Sequence, residues 1–278
     1  MIETAVTALF VPGDRPDRYT KAAGSGADLV IIDLEDAVAP SAKDAARASA
    51  VSALGSGDLR AMVRVNGLDS MWLNEDCAAL ARLVARPGHG LTAVMVPKAS
   101  DPVALAGLIE RVQVPVVALI ESALGVARVR DLAGVPGVGR LAFGALDFAF
   151  DVDAEVDAIT GQVARAEVVI GSRAAGLPAP LESPSTDLRD LERIEATSRA
   201  ARALGFGGRL CIHPAQLVAV RAGFAPTSAE IAWARGIVVA GAGVERVGDQ
   251  MVDRPVLERA RRIVRLAGQS EGSTTANP

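Results

Sequence analysis

The chain has 278 residues, of which 50% are hydrophobic and 22% charged, with a net charge of −4 at pH 7. That length and apolar content support a full core in one large domain. The mildly acidic balance and 3% aromatics exclude a general nucleic-acid binder, so a polyanionic ligand must be met by a local cluster of bases.

No apolar run approaches the ~20 residues that span a bilayer, so no membrane partner is expected. The start, Met1-Ile2-Glu3-Thr4, has neither a basic nor an apolar leader region, and the cysteines are Cys77 and Cys211 alone. Both features fit a cytoplasmic protein in a reducing compartment.

From the N-terminus, short β-type runs alternate with amphipathic helical stretches. The runs lie at 7–11, 29–34, 61–65, 93–96, 116–120, 141–143, 179–183 and 210–212. Most are apolar throughout, as parallel strands covered on both faces are. Between them the 3.6-residue period predicts helices at 41–54, opening on Ser41 as a cap, and at 76–84. A further helix at 101–112 has Asp101 as N-cap and Pro102 in its first turn. Helices at 157–175 and 187–204 follow, the latter ending at Gly205. Eight βα repeats favour a closed (β/α)8 TIM barrel over an open doubly wound sheet, and no GxGxxG follows the first run. Beyond the eighth run come a barrel helix at 228–240 and an amphipathic segment at 247–267. The expected organisation is a barrel domain at 1–246, a C-terminal segment at 247–270 and a disordered polar tail at 271–278.

In such a barrel, chemistry gathers at the C-terminal strand ends. There the chain places Asp33-Leu34-Glu35-Asp36, Arg64 with Asn66, Pro97-Lys98, Glu121-Ser122 and Gly144-Ala145-Leu146-Asp147. Burying so many carboxylates together is costly without a cation among them. All the donors are oxygens, which favours Mg²⁺ or Mn²⁺ over zinc. Glu121 and Asp147 are the expected direct ligands, with Asp33, Glu35 and Asp36 in an outer layer holding metal waters and Arg64. Local pairing or helix capping remains open for Asp36. Arg64 shares a strand face with Met62 and Asn66, and its guanidinium suits a carboxylate or a developing oxyanion. Arg15, Arg18 and Lys21 are spaced by three at the expected start of the first helix, either as an anion site or as a solvated face. His213 reads as a structural hydrogen-bonder. Lys98 could form a Schiff base, but its carboxylate surroundings argue for a salt bridge.

Seven blocks, in order, carry a resemblance. They are Phe10-Val11-Pro12-Gly13-Asp14-Arg15-Pro16-Asp17-Arg18, Ile32-Asp33-Leu34-Glu35-Asp36-Ala37-Val38, Val63-Arg64-Val65-Asn66 and Met95-Val96-Pro97-Lys98. Then come Leu119-Ile120-Glu121-Ser122, Gly144-Ala145-Leu146-Asp147-Phe148 and Ile212-His213-Pro214-Ala215-Gln216. Over about 5–267 the chain resembles the citrate lyase β-subunit-like proteins of the HpcH/HpaI aldolase family, which include malyl-CoA lyases.

The resemblance implies a Mg²⁺-dependent barrel acting on a C–C bond in a CoA thioester. It implies metal ligation by Glu121 and Asp147, substrate binding by Arg64, Gly144 and Ala145, and CoA contacts from Arg15 and Lys21. Relatives usually carry Asp in strand seven, where this chain has Leu181-Glu182-Ser183-Pro184. The segment Gly248-Asp249-Gln250-Met251-Val252-Asp253-Arg254-Pro255 resembles the lid motif of malyl-CoA lyase-like members. That likeness implies a homotrimer in which Asp253 completes a neighbour's site as a catalytic residue, although Asp253 also suits a cap on the helix opened by Pro255. The expected activity is interconversion of a 3-hydroxyacyl-CoA, such as malyl-CoA, with acetyl-CoA and a 2-oxo acid. Alternatives are a malyl-CoA-type thioesterase using the same site, a citrate lyase β subunit acting on an acyl-carrier-protein thioester, and a non-catalytic binding barrel.

Overall fold

A computed structural model describes residues 2–240, 246–247 and 250–274. Eight parallel strands close into a barrel in the order of the sequence: β1 Thr7–Pro12, β2 Leu29–Asp33, β3 Ala61–Arg64, β4 Leu91–Val96, β5 Val116–Ile120, β6 Val138–Phe143, β7 Leu181–Glu182 and β8 Gly208–Cys211. With helices between successive strands, this is the expected (β/α)8 barrel. The helices of this region are α1 Tyr19–Ala23, α2 Lys43–Gly55, α3 Leu73–Val84, α4 Pro102–Val112, α5 Ala123–Ala127, α6 Val129–Ala133, α7 Ala145–Asp151, α8 Ile159–Ala174, α9 Leu191–Leu204 and α10 Gln216–Phe224.

Period-2 alternation fills the barrel. Ala8, Leu29, Ile31, Met62, Met95, Leu119, Ala142 and Leu210 belong to one buried cluster. The same parity carries Asp33, Arg64 and Glu121 to one end of the strands, because each lies two residues after a member of that cluster. Register does the rest: Pro12 pairs with Asp33, Asp33 with Arg64, and Arg64 with Met95. At the other end Arg140, 1% exposed, closes the barrel by donating from Nη1 to the carbonyls of Ile2 and Ala5 and from Nε to Ala179. Burial lowers its pKa to about 10, since neutral carbonyls are its acceptors.

Local expectations fared unevenly. Asp101 does cap α4, accepting from the N–H groups of Val103 and Ala104 with Pro102 at the first position. Ser41 does not cap α2: it sits inside a 3₁₀ turn, Pro40–Ala42, that Pro40 opens one turn earlier. β7 shrinks to two residues, because Pro178 and Pro180 remove ladder donors just ahead of it. Asp147 lies in the first turn of α7 rather than on a strand.

The chain forms two compact units, Met1–Arg221 and Ala222–Pro278. The division falls before 228–240 instead of at 246. The reason lies in the packing: α11 Ser228–Ala240 pairs with α12 Arg254–Thr274 through Ala234, Ile237, Leu257, Ala260 and Ile263. In the same unit β9 Arg246–Val247 and β10 Gln250–Met251 pair antiparallel. Helix α12 continues through 271–274, the first part of the expected tail; 248–249 of the lid motif and 275–278 lie outside the described residues. None of the described helices is long and apolar enough to cross a membrane.

Candidate active site

Arg64 is the centre of the site. It is 9% exposed, and its Nε and Nη2 each donate to a different oxygen of Asp33 at 2.7 Å, the two-pronged pairing that a planar guanidinium makes with a carboxylate. Its Nη1 lies 2.8 Å from Glu35 Oε2 and 3.6 Å from Asp36 Oδ2, and its cation sits 4.8 Å from the Phe10 ring centroid. Burial opposes the charge, but the Asp33 hydrogen bonds and the surrounding carboxylates outweigh it and hold the group protonated. Asp33 is fixed in turn by the N–H groups of Glu35 at 2.9 Å and Ala37 at 3.1 Å.

Glu35 reaches a second cation. Its Oε1 accepts from Lys98 Nζ at 2.6 Å, and Asp36 stands 3.8 Å from the same ammonium. Burial works against the Lys98 charge, but the Glu35 hydrogen bond and the charges of Glu35, Asp36 and Glu121 raise its pKa above the ordinary lysine value. An ammonium so held is a poor Schiff-base nucleophile, and the salt-bridge reading of Lys98 stands. Asp36 joins this network at its rim, its side chain 57% exposed.

Glu121 follows β5 directly and is 2% exposed. Its Oε1 accepts the backbone N–H of Lys98 at 2.8 Å. Lys98 itself holds φ at +49°, in the left-handed region. Burial, reinforced by Asp147 and Glu35, pushes the Glu121 carboxyl up to about 8. Gly144, hydrogen-bonded to the carbonyl of Ile120, faces it; a Cβ there would stand 2.3 Å from Glu121 Oε2 and 2.7 Å from its Cβ. Asp147 approaches from the first turn of α7, half-exposed. Among the described residues no group of three His, Cys, Asp or Glu is placed to hold a metal ion. The pair nevertheless suits a hard divalent cation, which takes one or two protein carboxylates and fills its other positions with water and substrate.

Other expected positions divide. The backbone N–H of Ala145 is taken by Ser183 Oγ at 2.9 Å, so the strand-seven loop supports α7. Glu182 is buried against Arg165. Arg15, Arg18 and Lys21 are all exposed, but they do not lie on one helix. Arg15 precedes a 3₁₀ turn, Pro16–Arg18, and α1 starts only at Tyr19. Arg15 is also paired with Asp17 through two bonds, at 3.0 and 2.9 Å. The helix-terminus argument for an anion there therefore falls, and the basic charges remain. Asp253 belongs to the second unit, where Oδ1 accepts the N–H of Val256 and caps α12. His213 accepts the N–H of Ala215 at Nδ1, a structural use.

Sequence reading missed several supports. Lys43 donates to the carbonyls of Leu34 and Glu35 at 2.7 Å each and packs on Trp72. Asp76 holds Asn66 through both its backbone and side-chain nitrogens, and Arg47 holds Asp76 at 2.7 Å. Gln216 joins the end of β8 to the carbonyls of Ser185 and Asp187. Period 3.6 placed Arg47 and Asp76 on helices, but no local pattern announces a partner 29 residues away. Beside Glu35, Asp36 and Lys98 a pocket of about 350 Å³ opens, lined also by Lys43, Asn66 and Trp72.

The HpcH/HpaI aldolase/citrate lyase family matches residues 7–214. A citrate lyase subunit beta-like protein of Mycobacterium tuberculosis is 36% identical over 273 residues, covering 94% of this chain and 95% of the relative. An L-malyl-CoA/beta-methylmalyl-CoA lyase of Cereibacter sphaeroides is 31% identical, with 93% of each chain covered. The crystal structure of the M. tuberculosis protein CitE in complex with magnesium, acetoacetate and coenzyme A superposes with a TM-score of 0.86 at 31% identity, covering 96% of this chain and 100% of that one. By sequence and by fold, this chain belongs to the HpcH/HpaI aldolase/citrate lyase family.

Proposed function

We propose that the chain is a Mg²⁺-dependent lyase or synthase that interconverts a 3-hydroxyacyl-CoA, of the malyl-CoA type, with acetyl-CoA and a 2-oxo acid. The observation that carries this is the gathering of two different groups at the C-terminal end of the barrel. A doubly clamped Arg64 lies close to a buried carboxylate, Glu121, that has a second carboxylate, Asp147, beside it. Relatives crystallised with magnesium and acetoacetate plus coenzyme A, or with magnesium and pyruvate, support the ligand classes.

Glu121 and Asp147 would hold the metal ion, which when bound supplies a Lewis acid for the carbonyl of the oxo acid. Arg64 has five N–H groups, and Asp33 and Glu35 engage three of them at most, so two remain for a substrate carboxylate or an enolate oxygen. Asp33 and Glu35 keep that fork in one orientation, which spares the reaction the cost of arranging it. Lys98 holds Glu35 in place and, through its backbone, aims Glu121. Gly144 leaves the space that Glu121 occupies. Arg15 and Lys21 would meet the CoA phosphates, with Arg15 first exchanging its Asp17 partner. In this reading Asp253 of a neighbouring chain in a trimer moves the proton at the acetyl carbon.

A screen of 3-hydroxyacyl-CoA thioesters with Mg²⁺, reading 2-oxo acid and free thiol separately, tests the proposal. Oxo acid released without free thiol is the expected result. Free thiol without oxo acid identifies a thioesterase and overturns the carbon–carbon assignment.

A further inference from the structure

We infer that the chain carries a second anion site, outside the barrel, between α8 and α9. A pocket of about 740 Å³ lies there, within the size range of small-molecule sites, and Arg165, Glu182, Arg193, Thr197 and Arg209 are among the residues lining it. Its buried wall holds two guanidiniums and one carboxylate. Both oxygens of Glu182 are committed, Oε2 to Arg165 Nε at 2.9 Å and Oε1 to the N–H of Ser183 at 2.7 Å. Arg209 is only 7% exposed, and its hydrogen bonds go to neutral oxygens: Thr197 Oγ1 at 2.8 Å, Ser198 Oγ at 3.0 Å and the Ile194 carbonyl at 3.4 Å. Among the described residues, Arg209 Nε and Arg165 Nη1 have no hydrogen-bond partner, and both are buried. The rim adds two acids, Asp157 and Asp187, and one cation, Arg193, so the lining as a whole is charge-balanced and the excess of one guanidinium is confined to the buried wall. Asp187 Oδ1 is taken by the N–H groups of Arg189 and Asp190, and Asp157 is exposed.

A buried guanidinium that borders an open pocket and has only neutral acceptors is stabilised by an anion that brings charge to it. Arg193, exposed at the mouth, adds attraction for such a ligand. The ligand class is a small molecule bearing a phosphate or a carboxylate. Arg165 also packs on Phe143, 5.1 Å from its ring centroid, at the end of β6. The site therefore abuts the barrel wall without using any residue assigned above to the metal or to Arg64.

Isothermal titration of the full chain with inorganic phosphate, and separately with succinate, tests this, with excess EDTA present to silence the metal site. At least one anion is expected to bind saturably, one per chain; preference for phosphate or for succinate then identifies the headgroup. Arg209→Gln should weaken binding about tenfold, the effect of one charge-assisted hydrogen bond. Arg193→Ala, an exposed change that spares the fold, should weaken it severalfold and reduce its salt dependence. Arg15→Ala should leave it unaltered. Absence of saturable binding of either anion overturns the site, as does binding that survives both Arg209→Gln and Arg193→Ala or that disappears in Arg15→Ala.

Discussion

Glu121 joins function to a cost in stability. Its folded pKa of about 8 lies above the ordinary value of 4.5, because burial and Asp147 disfavour the charged form. A raised acid contributes stability that is fully present below about pH 4.5 and is lost as pH rises through about 8. In the metal-free chain, Glu121→Gln removes that loss. Its melting temperature should exceed the parent's at pH 8, by roughly 2–4 °C for each kcal/mol relieved, and converge on it in acid. The same variant should fail to bind Mg²⁺ in a titration. Equal melting temperatures at pH 8 would contradict the buried-acid account. Gly144→Ala belongs to the same reasoning. A methyl group 2.3 Å from Glu121 Oε2 must push the carboxylate aside, so Mg²⁺ affinity should fall at least about tenfold while the far-ultraviolet spectrum stays native. Arg64→Lys keeps the charge and loses the fork; kcat should fall by about 10²–10³, as for loss of one oxyanion donor, with a smaller change in KM.

Among the elements, α4 and β7 mark how far local pattern reaches. Asp101 and Pro102 announce α4, and the structure supplies the two hydrogen bonds that the pattern requires. Asp101→Ala should therefore cost about 1 kcal/mol in denaturant unfolding, with an unchanged denaturant dependence. β1 to β6 were legible because both faces of each strand are covered, which leaves an apolar run; β7 was indistinct because prolines leave it two residues of ladder. Asp33 and Arg64 could be placed at strand ends from alternation alone. Their pairing could not, since it depends on the register of β2 against β3, a non-local quantity. The positive φ of Lys98 left no trace either, because the residue type gives no hint of it. Ser41 as a cap and the α-helix start at Arg15 were misplaced for one reason: a proline opened a 3₁₀ turn where an α-helix start was expected.

For the whole molecule, the amphipathic tail is explained by packing inside the second unit. A lone amphipathic helix needs a surface to cover, but α11 already packs against α12 through Ile237, Leu257 and Ile263. The apolar face of α12 is therefore covered within its own unit, and the proposed trimer rests on the lid-motif likeness of Asp253. Mixed and re-assembled Asp253→Ala and Glu121→Gln chains should regain partial activity if the site is shared. Mixtures with proven subunit exchange that stay inactive would contradict sharing and leave the cap on α12 as the role of Asp253.

The central claim is metal-dependent carbon–carbon chemistry on a CoA thioester at Glu121, Asp147 and Arg64. The most direct measurement runs the reaction in the synthetic direction: acetyl-CoA, a 2-oxo acid such as glyoxylate and the intact chain, followed by mass spectrometry of the acyl-CoA pool with Mg²⁺ or with excess EDTA. A 3-hydroxyacyl-CoA carrying the carbons of both substrates should form with Mg²⁺, and none with EDTA or in Glu121→Gln. The same adduct formed undiminished in EDTA, or free CoA accumulating with no adduct, would contradict it.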